Sequence, residues 1–135
     1  MNLINGDFPC DIGDSFSLLP QSIKDLFFED SSVSGNYILR SKEGIVCNDV
    51  SFRIVLRFKE ERVNSIVMVA LREQQTEKYS CYDTADELHR AWLIDNYGKP
   101  DVIEQWGLVY YLEDKKLYSY YDPRSGSAEI YYSEA

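Results

Sequence analysis

Phe52, Ile54, Leu56 and Phe58 alternate with Arg53, Arg57 and Lys59, and only Val55 breaks the alternation. A period of two marks a strand with one face in the core and one in water. Here the wet face is basic. Residues 65–71 are apolar on both faces and predict a central strand. Glu60-Glu61-Arg62 turns the chain between the two. Upstream, Tyr37-Ile38-Leu39-Arg40 and Ile45-Val46-Cys47 predict shorter strands, separated by a turn at Lys42-Glu43-Gly44 and followed by Asn48-Asp49. Downstream, residues 107–112, 116–121 and 128–132 read as three strands. Their connections, Glu113-Asp114 and Asp122-Pro123-Arg124-Ser125-Gly126, are short enough for antiparallel hairpins.

Two stretches follow the helical period instead. Ile23, Leu26 and Phe27 fall at i, i+3, i+4 behind Pro20, a residue suited to a first turn. Asp30-Ser31-Ser32 and Gly35 close that segment. Thr84 and Glu87 form a capping-box pattern, and Ala85, Leu88, Ala91 and Trp92 share a face. Gly98 and Pro100 stop the helix, which is expected over about residues 84–97. Residues 1–15 read as a loose lead-in. No linker divides the chain, so residues 1–135 are expected to form a single α+β domain. The expected fold is an antiparallel sheet meander with two helices packed on one face. The order helix, strands, helix, strands also reads as two helix-plus-strands half-repeats.

Composition adds compartment and charge. The chain has 135 residues, 44% hydrophobic and 27% charged, enough for a core without staples. Cys10, Cys47 and Cys81 are odd in number and lack a CxxC pair, which suits free thiols in a reducing compartment. The first residues carry no signal-peptide pattern, and no apolar run is long enough to span a membrane. A cytoplasmic location is expected. The net charge of −9 is uneven: residues 1–30 carry −5, residues 31–82 carry +2, and residues 83–135 carry −6. Such a field repels nucleic acid and anionic membranes and attracts basic proteins.

Reactive groups are scarce. His89 is the only histidine, which excludes HExxH and any two-histidine metal site. Its expected role is structural. No nucleophile elbow, Walker loop or dinucleotide fingerprint occurs, and the acids at Asp83 and Asp86 suit a helix N-terminus better than a calcium loop. No enzyme activity, cofactor or metal is therefore expected. Tyrosine is the feature beyond housekeeping. Eleven are present, with doublets at Tyr110/Tyr111, Tyr120/Tyr121 and Tyr131/Tyr132. Each doublet sends one ring to each sheet face. Packing accounts for such rings, and so does a binding surface, because tyrosine anchors interfaces at little entropic cost. The candidate partner-binding residues are Tyr110, Tyr118, Tyr120 and Tyr131, with Glu113, Asp114 and Asp122 supplying attraction.

Leu19-Pro20-x-Ser22-Ile23, Lys42-Glu43-Gly44-Ile45 before an alternating strand, and Tyr97-Gly98-Lys99-Pro100 followed by Trp106 and Tyr121-Asp122 resemble small immunity proteins of bacterial toxin systems. The nearest likeness is a pyocin-immunity-like family, from about residue 16 onward. A Tyr-Gly-x-Pro helix end also occurs in outer-membrane-assembly lipoproteins and in the beta-lactamase-inhibitor-like repeat fold. The resemblance implies a protein that neutralises a cognate toxin, such as a basic nuclease, by occluding its active site with an acidic, tyrosine-rich surface. The alternative is a secretion chaperone or adaptor holding a partner polypeptide. Neither needs nucleic acid or membrane, and either is compatible with a monomer or, through the last strand, a homodimer.

Overall fold

The alternating stretch forms the longest strand of the sheet. In the computed structural model, which describes residues 10–33 and 36–135, it is β4 (Val50–Lys59), paired antiparallel with β5 (Arg62–Ala70). Phe52, Ile54, Leu56 and Phe58 stand opposite Ala70, Met68, Ile66 and Val63 on the buried face. The other face pairs Arg53 with Val69, Val55 with Val67 and Arg57 with Ser65.

Before β4 come α1 (Gln21–Lys24), β1 (Phe27–Val33), β2 (Asn36–Ser41) and β3 (Ile45–Cys47). After β5 come α2 (Ala85–Tyr97), β6 (Val102–Glu104), β7 (Gly107–Leu112), β8 (Lys115–Tyr121) and β9 (Ala128–Glu134). Among the described residues, all nine strands share one antiparallel sheet in the order β1-β2-β4-β5-β9-β8-β7-β6, with β3 paired to β4. Each half runs from the sheet edge inward. The last strands of the two halves, β5 and β9, meet at the centre, so the half-repeat order is built into the topology.

The helices cover one face. Thr84 Oγ1 accepts from the Glu87 N–H at 3.1 Å, fixing the start of α2. Gly98, at φ +78°, ends it, and its N–H reaches Ile94 O. Leu88, His89, Trp92 and Leu93 are buried against the sheet, and Trp92 Nε1 donates to Cys47 O at 3.0 Å. The first helix is one turn only. Phe27 pairs with Ser41, and the chain continues as β1. Exposed Leu26 and Phe28 flank buried Phe27, which is strand alternation that the helical spacing concealed. The short edge strand β6, exposed throughout, was not legible in the sequence. Residues 10–15 are pinned, not loose. Gly13 N–H reaches Val63 O, Val63 N–H reaches Asp14 O, and Cys10 is buried. The rest of the expected lead-in, and Gly35, lie outside the described residues.

Candidate functional site

With α1 and α2 on one side, no α-helix among the described residues covers the opposite face of the central strands, and only the turn at Arg72–Gln74 meets its edge, where Gln74 contacts Ser51. Its central row can be followed by register. Arg40 is opposite Val55, Val55 opposite Val67, Val67 opposite Tyr131, Tyr131 opposite Tyr118, and Tyr118 opposite Val109. The Tyr118 and Tyr131 rings stack at 5.1 Å with a 17° interplanar angle. Lys116 Nζ sits 4.6 Å from the Tyr118 ring centroid, a cation–π contact. Tyr120, 45% exposed and opposite Glu129, shares this face two residues along β8. Burial, and then the hydrogen bond to Glu129, raise the Tyr131 hydroxyl to about 12. Burial also raises Tyr118, with the Glu129 charge second. Both phenols are neutral donors at physiological pH.

The arginines of β4 share this face, with β5 between them and Tyr131. Arg53 and Arg57 are exposed and make no ion pair among the described residues. Arg40 donates to Asp30 at 2.7 Å, where β1 bulges. A groove of about 330 Å3 runs between Arg40, Arg53, Arg57 and Glu129 over Val55 and Val67. A second depression, of about 580 Å3, shares Arg40 and Arg53 and extends to Phe28 and Lys42.

The candidate residues divide sharply. Tyr118, Tyr120 and Tyr131 are together on the helix-free face. Tyr110 is corrected as a surface anchor. It is 2% exposed, packs on Tyr97, and donates its hydroxyl to Gly98 O at 2.7 Å. Its opposite neighbour on β8 is Leu117, a core residue, so the strand's alternation turns Tyr110 inward and Tyr111 outward. Glu113 and Asp114 form the β7–β8 turn, with Glu113 at φ +58°. Asp114 pairs with Lys115 at 2.9 Å, whose hydrogen bond and charge hold the carboxyl below its ordinary range. Asp122 lies in the β8–β9 turn, accepting from the Arg124 N–H at 2.9 Å. The seven residues of β8 separate these acids by about 20 Å. The expected acidic, tyrosine-rich cluster therefore resolves into a ring-and-arginine face with acidic tips at opposite ends. The arginines were visible as the basic face of an alternating strand. That they face the same way as Tyr118 and Tyr131 was not.

His89 is fully buried in the core. Its Nε2 accepts from the Ala70 N–H at 2.9 Å, and it stacks on Phe52. Burial lowers its pKa to about 4. Among the described residues, no three His, Cys, Asp or Glu side chains gather where a metal ion could be held, and no helix is long and apolar enough to cross a membrane. In comparisons with known proteins, the chain matches no family model, no curated protein and no solved structure.

Proposed function

We propose that this chain is an inhibitor of the immunity type, which neutralises a protein toxin by covering its active site with the helix-free face of the sheet. The observation that carries the reading is that face itself. Tyr118, Tyr120 and Tyr131 share one sheet face with Arg53 and Arg57, with no α-helix over them among the described residues. Tyrosine and arginine are the side chains that dominate interface energetics. Held on a sheet, they lose little further freedom on binding. The acids at the strand ends, Glu113, Asp114 and Asp122, supply long-range attraction to basic rims of a partner's cleft.

The test is co-purification with the product of the adjacent gene, together with rescue of cells expressing it. Tyr118→Ala with Tyr131→Ala is expected to weaken the complex by about 2 kcal/mol or more, roughly thirtyfold. Neither complex nor rescue with the unaltered chain would overturn the reading.

A further inference from the structure

The chain carries 14 basic against 23 acidic residues. Its helix-free face reverses that balance locally. Around its groove over Val55 and Val67, Arg40, Arg53 and Arg57 stand against Glu129 and Asp30. Asp30 is already held by Arg40. Arg53 and Arg57, four residues apart on one strand face, are about 13 Å from each other along β4. Val55 lies between them, and both arginines line the groove.

We infer that this groove binds an acidic protein segment in extended form, with carboxylates four residues apart seated on Arg53 and Arg57. The inference rests on the inhibitor reading and specifies the partner's contact chemistry. Guanidinium groups match carboxylates in a planar, two-bonded fork, which fixes register as well as charge. An extended chain repeats its side chains with the same spacing as β4, so acids at i and i+4 fall opposite the two arginines. A nucleic acid fits less well. Its charges recur far more densely than two cations about 13 Å apart can neutralise, and the net −9 of the whole chain repels it. Tyr118 and Tyr131 are stacked on each other, which leaves Tyr120 as a single open ring where a base-stacking platform needs several in succession.

The probe is a synthetic twelve-residue peptide with Glu at its fourth and eighth positions in a Thr/Val background. Its controls are the same peptide with Gln at both positions, and a twelve-nucleotide oligo-dT. Amide shifts of the full chain are followed at low salt. The Glu peptide is expected to bind at least fivefold tighter than the Gln peptide, moving amides of β4 and β5. Arg53→Glu with Arg57→Glu removes that preference, and Arg53→Gln with Arg57→Gln, which adds no new charge, removes it too. Equal binding of the two peptides, or a preference surviving both double variants, overturns the inference. Tighter binding of oligo-dT overturns it in favour of nucleic acid. No toxin enters this experiment, so a failed rescue assay strikes the inhibitor reading alone.

Discussion

His89 makes the stability of this fold fall with acid, and the size of the effect follows from its surroundings. The ring is wholly buried, and Nε2 accepts the Ala70 N–H. The ring proton must then sit on Nδ1, which has no hydrogen-bond partner among the described residues. Protonating Nε2 would place a donor against a donor, inside a packed core. Burial accordingly lowers the pKa from 6.5 to about 4. The unfolded chain takes up the proton first as pH falls. The contribution is complete above the unfolded value, declines below it, and is gone beneath the folded one. The whole difference is about 3 kcal/mol, of which about 2 kcal/mol is lost between about pH 7.5 and about pH 5. The chain has a single histidine, so its imidazole resonances titrate without overlap. They should stay neutral throughout that window. Urea unfolding at the two pH values gives the stability. His89→Gln retains an acceptor for Ala70 and cannot titrate, so its loss on acidification should be smaller by about 2 kcal/mol. An imidazole titrating near its ordinary value, or an unchanged acid loss in His89→Gln, would refute the argument.

Other substitutions test separate parts of the structure. The two-residue turn joining β4 to β5 holds Glu60 and Glu61 at φ +52° and +64°; Glu60→Asn with Glu61→Gly should stabilise by about 1–2 kcal/mol in denaturant unfolding, since that turn favours Asn-Gly. A Cβ at Gly107 would lie 1.9 Å from Ser119 O, so Gly107→Ala should force β7 and β8 apart and cost about 2 kcal/mol or more of stability in denaturant unfolding. Trp92→Phe deletes the donor to Cys47 O and leaves space under α2, with an expected cost of about 2–3 kcal/mol by thermal unfolding. A double-mutant cycle on Tyr118→Ala and Tyr131→Ala should return a coupling of about 0.5–1 kcal/mol in the isolated chain; additivity would mean that the stacked rings do not support each other.

Periodicity is a local property, and it carried the local facts. The alternation in β4, the capped helix α2 and the short hairpin turns were legible because a strand or helix writes its own period into neighbouring residues. So was the rule that each tyrosine doublet splits across the sheet. Local signals failed where two periods overlapped. Residues 23–27 satisfy helical spacing, yet Phe27 pairs with Ser41 as a strand. They failed again at β6, whose three residues are too few to show a period. What only the tertiary structure decided was pairing between distant segments. The meeting of β5 with β9 places Val67 beside Tyr131, and so sets the arginines of one half on the same face as the rings of the other. Register also turned Tyr110 inward and buried His89 beneath Ala70. Such choices depend on how two surfaces far apart in the chain fit together, which no window of neighbouring residues contains.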